Sequence, residues 1–168
     1  MPDKEAAAKV EAYATQKIQE GDSIGGIIEC VVEGMMPGIG EPVFDKLDAS
    51  LGKAMLSIGA VKGFEIGSGF EAAKMTGSEK RDRKERQLPA TNHAGGVSGG
   101  MSDGSNIVFR AAVKPTPSIS AVQDTVNKDG ENIEISIKGR HDPMIVPRAV
   151  VVVEAMTALT LVDLIFEN

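Results

Sequence analysis

Glycine is gathered into a few short stretches of this chain, and that placement constrains its backbone more than any other feature. Nineteen of 168 residues are glycine, against roughly 7% in an ordinary domain. They cluster at Gly21-Asp22-Ser23-Ile24-Gly25-Gly26, Gly38-Ile39-Gly40, Gly67-Ser68-Gly69 and Asn92-His93-Ala94-Gly95-Gly96-Val97-Ser98-Gly99-Gly100. Glycine enters left-handed backbone regions without steric cost and lets two backbones approach closely. The clusters therefore predict special geometry at a few junctions, joined by regular elements.

Those elements are legible from periodicity. Ala7, Val10, Ala14 and Ile18 fall at helical spacing over 3–20, with Asp3 placed as N-cap and Gly21 as the stop. Residues 24–34 alternate, setting Ile28, Cys30 and Val32 against Ile27, Glu29, Val31 and Glu33. After a loop at 35–40, Phe44, Leu47, Leu51, Ala54, Met55 and Ile58 predict an amphipathic helix over 43–58. A strand over 60–66 follows. Another, over 105–114, turns Ile107, Phe109, Ala111 and Val113 to one side. Residues 119–127 and 131–138 read as a hairpin around Asp129-Gly130. The segment from Arg148 to Phe166 reads as a long buried helix. No tandem repeat is present. The hairpin favours an α+β fold, antiparallel β-sheet layered with helices, and the length suits a single domain over 1–168.

Composition excludes several function classes. Acidic side chains outnumber basic ones 24 to 18, a net charge of −6, so neither nucleic acid nor an anionic membrane is an expected partner. Five Phe, one Tyr and no Trp leave few platforms for stacking bases. The run at 79–86 holds five basic and three acidic residues. It predicts a mobile, solvated loop over 77–91, with a flap supplying positive charge to an anion site as the sharper alternative. No stretch is expected to reach a membrane span, because Glu154 and Asp163 interrupt the most apolar segment, 149–166. The N-terminus has no basic start and no apolar signal core. The lone Cys30 cannot form an internal disulfide, which points to a reducing cytoplasm and a core thiol.

Four places hold residues with chemical potential. The loop at 92–100 would let backbone N–H groups approach a phosphate or flavin, or it is a plain flexible hairpin loop. It is neither a P-loop nor a dinucleotide fingerprint, since no Gly-Lys-Ser/Thr follows and the next element reads as a strand. Lys114-Pro115-Thr116-Pro117-Ser118 is a rigid strand exit with one cation and two hydroxyls. Gly139-Arg140-His141-Asp142-Pro143 offers an anion clamp, a proton carrier and a carboxylate, or a surface turn with a salt bridge. Gly21 to Gly26 reads first as a helix stop and strand start. His93 and His141, the two histidines, leave a metal pair open without support from spacing, and no Cys or carboxylate cluster has metal-ligand spacing.

Taken in order, Gly21-Asp-Ser-Ile-Gly-Gly26, Gly38-Ile-Gly-Glu-Pro-Val-Phe-Asp45, Ser57-Ile-Gly-Ala-Val-Lys-Gly63, Asn92-His-Ala-Gly-Gly96, Lys114-Pro-Thr116 and Gly139-Arg-His-Asp-Pro143 resemble chorismate synthase. The resemblance is to the C-terminal half of that family. The N-terminal half, with two active-site histidines, further arginines and an Arg-Ser-Ser flavin contact, has no counterpart. The chain thus looks like an excised fragment or a truncated reading frame. The resemblance implies a lyase that eliminates phosphate and a ring hydrogen from 5-enolpyruvylshikimate 3-phosphate to give chorismate. Reduced FMN is required and no net oxidation occurs.

By the same resemblance, Gly59 and Ala60 match a flavin-contacting dipeptide that is usually Asn-Ala. Gly99 matches a flavin-contacting glycine, and Lys114, Pro115, Thr116, Pro117 and Ser118 match the flavin-binding turn. Arg140 matches an arginine at the flavin and substrate phosphate. Asp142 matches an aspartate near flavin N5, suited to proton relay, with His141 orienting the turn between them. The family architecture, helices sandwiched between sheets in a tetramer, implies that half of the arrangement is missing here. Exposed apolar surface and self-association into a homo-oligomer are then expected. The alternative is a catalytically inert folding or assembly module derived from the enzyme.

Overall fold

The computed structural model describes residues 3–82, 84–85, 88–139 and 142–167. In chain order the elements are α1 (Lys4–Gln19), β1 (Gly26–Val32), α2 (Leu47–Ser57), β2 (Val61–Ile66), a 3₁₀ helix (Gly69–Lys74), α3 (Gly77–Lys80), β3 (Lys84–Glu85), β4 (Leu88–Pro89), β5 (Val97–Ser98), β6 (Met101–Ser102), β7 (Ile107–Val113), β8 (Gln123–Val126), β9 (Asn132–Ile135) and α4 (Val146–Glu167). They form two compact units, Met1–Gly26 with Lys114–Pro147 and Ile27–Val113 with Arg148–Asn168. Each unit draws on segments far apart in sequence. The α+β class with antiparallel sheet and helices is as the sequence implies.

The larger unit holds the core. Its sheet runs β1-β7-β2, with β7 in the middle. β2 pairs antiparallel with β7, Phe64 opposite Ala111 and Ile66 opposite Phe109. Ile107, Phe109, Ala111 and Val113 are buried along β7, the face their alternation predicts. α2 closes over β2. Leu47, Leu51 and Met55 are fully buried, and at Gly52 an added Cβ would lie 3.3 Å from the Phe64 ring. Phe64 in turn meets Phe109 at 5.4 Å between centroids, within the range of favourable tilted ring pairs. β1 buries Ile28 and leaves Ile27 exposed, so its register also follows the alternation.

Several expectations need correction. The helix predicted over 43–58 begins only at Leu47. Val43 takes a left-handed φ of 68°, and Phe44 is exposed. Glu41 donates its backbone N–H to the Asp45 carbonyl in a turn that precedes the helix. The 77–91 segment, expected as a loop, carries helix α3, closed by a Thr76–Glu79 capping box, and the short β3–β4 ladder. The hairpin forms around Asp129-Gly130, but its paired strands are four residues each and Ile133 and Ile135 stay exposed.

The largest correction concerns α4. Val153, Thr157, Leu161 and Leu164 form one buried stripe, while Val151, Leu159, Val162 and Phe166 are exposed on the other side. Glu154 and Asp163 lie on the boundaries between these stripes, so the helix has two apolar faces and only one is covered. It is also long and apolar enough to cross a membrane by length and composition, contrary to the sequence expectation. A helix built to be covered on two sides has the same apolar content. α1 is capped by Asp3, whose carboxylate accepts from the Glu5 and Ala6 N–H groups. None of its residues is buried. The apolar exposure expected from the family resemblance is therefore present on several elements.

The one-sided burial of α4 is directly measurable. Leu161→Ala should lower the free energy of unfolding by about 2–5 kcal/mol, and Leu159→Ala should stay within about 0.5 kcal/mol. Paired urea titrations of the two variants check it. Equal losses would mean that both faces are packed.

Candidate functional site

The loop at 92–100 is built around backbone contacts that leave no room for side chains. Val108 on β7 donates its N–H to Gly95 O at 3.1 Å and accepts from Gly67 N–H at 2.8 Å. This brings the end of β2 against the loop. A Cβ on Gly67 would sit 2.2 Å from His93 O, and one on Gly95 would sit 2.4 Å from Gly67 N. At Gly96 it would meet Asn106 O at 2.5 Å, and at Gly100 the Lys46 side chain at 2.6 Å. Asn92 braces the turn, accepting from Gly96 N–H at 2.8 Å and donating to Asn106 O at 2.7 Å. Gly99 differs from all of these. Its φ is +63°, yet nothing lies within 4 Å of the Cβ it lacks.

Gly59 and Ala60 join α2 to β2. Gly59 also faces open space, so the asparagine usual in the resembling family would meet no clash. Ala60 carries a left-handed φ of +71°. A non-glycine residue there bears about 1–2 kcal/mol of strain, and such residues concentrate at functional positions.

In the smaller unit the Gly21–Gly26 stretch acts as a strut. Gly21 takes φ +73° at the end of α1, and its carbonyl accepts from the Ser120 and Ala121 N–H groups, both at 3.1 Å. Ser23 Oγ donates to Thr116 O at 2.6 Å, fixing the proline-rich exit. Ile24 N–H donates to Pro143 O at 2.7 Å, beside a parallel bridge from Ile24 to Met144. Asp22, Ser23, Ser120 and Asp142 line a cleft of about 290 Å³. Lys114, Pro115 and Pro117 are exposed there, with Thr116 and Ser118 half-buried. Asp142 and the Lys114–Ser118 exit are thus held by one strut, whose role the sequence reading limited to a helix stop and strand start. Gly59, Ala60 and Gly99 belong to the other unit. Arg140 and His141 lie outside the described residues.

A contact that sequence reasoning missed is made by Asp82. Its Oδ1 accepts from Thr91 Oγ1 at 2.9 Å and from His93 N–H at 2.6 Å, and Oδ2 accepts from Ala94 N–H at 2.9 Å. Partial burial opposes the charge. The Ala94 and His93 N–H groups, the Thr91 hydroxyl and the His93 ring outweigh it and hold the carboxyl below its ordinary value. The sole trace in sequence is one aspartate among the basic residues of the 79–86 run. Cys30 Sγ lies 3.8 Å from Thr157 Oγ1, and burial pushes its thiol pKa up, fitting a core thiol over a nucleophile. Among the described residues no group of three or more His, Cys, Asp or Glu could hold a metal ion.

The loop makes a graded prediction. Gly99→Ala should lower the free energy of unfolding only by the ~1–2 kcal/mol of left-handed strain. Gly95→Ala should lose distinctly more, because backbone atoms must move apart. Ala60→Gly should gain up to about 1 kcal/mol, as strain relief exceeds the added freedom of the unfolded chain. Thermal or urea unfolding of the three variants gives the order.

Residues 1–166 match the family profile described as chorismate synthase. The chain is 73% identical over 172 aligned residues to a chorismate synthase of Lachnospira eligens and 65% identical over 173 to one of Lachnoclostridium phytofermentans. Each alignment covers all of this chain and 47% of the relative. A solved structure described as a crystal structure of chorismate synthase matches with a TM-score of 0.79 and 32% identity, covering 99% of this chain and 44% of that one. The chain spans about half the length of the relatives it matches.

Proposed function

Since the chain belongs to the chorismate synthase family, we propose that it supplies part of the flavin- and substrate-binding surface of a carbon–oxygen lyase. That lyase eliminates phosphate from 5-enolpyruvylshikimate 3-phosphate to give chorismate, in aromatic amino acid biosynthesis. The observation that carries this reading is Gly99. Gly99 and Gly100 form the two-residue turn between β5 and β6, which sets their positive φ, and at Gly99 that turn leaves its backbone beside open space. An open, Cβ-free stretch of backbone fits contact with a flat ring system, and the strained Ala60 supports the same assignment.

Gly59, Ala60 and Gly99 would hold FMN through their backbones. Lys114, on an exit stiffened by Pro115 and Pro117, brings a cation toward phosphate, with Thr116 and Ser118 as hydrogen-bonding hydroxyls. Reduced FMN, when bound, supplies electron density that helps the phosphate leave, with no net oxidation. Arg140 would bind the phosphate, because a guanidinium can offer it two parallel N–H donors and stabilise the charge gathering on it as its bond to the ring carbon breaks. Asp142 accepts a proton on a carboxylate oxygen and releases it again, as a relay for the ring hydrogen that is lost. The strut from Gly21 to Gly26 keeps Thr116 and Asp142 in a fixed relation.

The lone thiol and the net charge of −6 support a cytoplasmic protein without nucleic-acid or membrane partners. The second reading, an inert assembly module, is favoured by the uncovered face of α4. An exposed apolar stripe of this size drives association, so sedimentation at micromolar concentration should report a homo-oligomer. A strict monomer would remove this reading.

Two measurements test the lyase assignment. The purified chain with substrate and reduced FMN, without oxygen, should release no chorismate. Adding the remaining half of the Lachnospira eligens relative should restore release. In that reconstituted enzyme Arg140→Lys keeps the charge but loses the fork, and should weaken substrate or flavin binding. Asp142→Asn cannot take up a proton, and should lower kcat by about 100-fold or more while binding survives. Unchanged turnover in Asp142→Asn would make that residue a turn former and place the proton path elsewhere.

A further inference from the structure

We propose that Asp82 and Lys80 are positioning residues, an ionic clamp that sets the first turn of the 92–100 loop and so the backbone presented at Gly99. The part of this inference that concerns ligand rests on the lyase reading above; the clamp itself does not.

The geometry is convergent on one residue. The His93 N–H is taken by Asp82. The His93 carbonyl is taken by Lys80 Nζ and by Ser68 N–H, the latter at 2.8 Å. The His93 ring Nδ1 faces Ser68 Oγ at 3.2 Å. Asp82 also takes the Ala94 N–H and the Thr91 hydroxyl. From there Asn92 carries the constraint to Gly96, and the loop is closed at its far end where Gly100 O accepts from Leu47 N–H at 2.8 Å. Gly99 sits between these two anchors.

Charge is what the clamp needs. An ionised carboxylate is acceptor-only and serves three donors at once. α3, which carries Lys80, buries no residue of its own, so polar contacts and not apolar packing attach it to the loop. Among the described residues, the charged or titratable groups that meet this turn are Lys80 and His93. Because the folded state binds the ionised carboxyl more tightly, its pKa falls below the ordinary value of 3.8. The clamp is therefore complete above about pH 4 and is lost as pH falls through the lowered folded value.

The test uses Asp82→Asn, which keeps the shape but sets an NH₂ group against a backbone donor. In the chain itself, the His93 and Ala94 amide protons should move together on acid titration, following one carboxyl. Asp82→Asn should abolish that titration. It should also speed exchange of both amides by on the order of tenfold or more, with Phe109 and Ala111 unchanged. Asp82→Glu should restore part of the protection. In the enzyme reconstituted with the remaining half, Asp82→Asn should weaken flavin binding while kcat at saturating flavin is kept. Amide exchange that ignores the substitution overturns the clamp. Faster exchange with unaltered flavin affinity overturns its link to Gly99. If Gly99→Ala also leaves flavin affinity unaltered, the flavin assignment of the loop is what fails.

Discussion

The close approach of Gly67 and Gly95 at Val108 is the contact on which the rest of this structure turns. Val108 belongs to the central strand, and its backbone bonds to both glycines. The end of β2 and the start of the glycine-rich loop are thereby fixed to the middle of the core sheet. A methyl group at either glycine would overlap backbone atoms by more than any relaxation of side chains could absorb. Gly96, Asn92 and Asn106 extend the same seam. The loop is thus a rigid continuation of the sheet, and only the stretch around Gly99 is left facing open space.

Charge is used locally in this protein. The net charge is −6, but the charged run at 79–86 does more than solvate a surface. Asp82 accepts from the His93 N–H and Lys80 donates to the His93 carbonyl. Elsewhere Arg110 pairs with Glu65 at 2.9 Å across β7 and β2, while Lys9–Glu5 and Lys74–Glu71 are exposed helical pairs of small energetic weight. The contacts that matter for the candidate site are those made to backbone groups, because they hold the turn at His93 and Ala94 in place.

The chain spans about half of its relatives, and α4 has two apolar stripes with one partner sheet. A helix of that composition is stable where both stripes are covered. Here Leu159, Val162 and Phe166 remain exposed, as do the outward residues of β1 and of the β8–β9 hairpin. The helices and strands still form, because α4 buries one stripe, with Thr157 beside Cys30 of β1, and β7 buries its inward face.

The sequence by itself determined the longer elements α1, β1, β2, β7 and α4, the inward faces of β1 and β7, the Asp3 cap, the hairpin turn at Asp129-Gly130 and the family. Each depends on local periodicity, on a turn residue or on ordered motifs, and all of these are written along the chain. Only the tertiary structure decided which glycines are filled by neighbours and which are open, since Gly95 and Gly99 are equivalent in sequence and differ in what surrounds them. It decided the strain at Ala60, which no periodicity encodes, and the strut that holds Thr116 and the cleft lined by Asp142 across more than ninety residues of sequence. It also decided that Asp82 in a charged run bonds to a loop eleven residues away, because a carboxylate's value depends on the donors brought to it, and those arrive only when the chain folds.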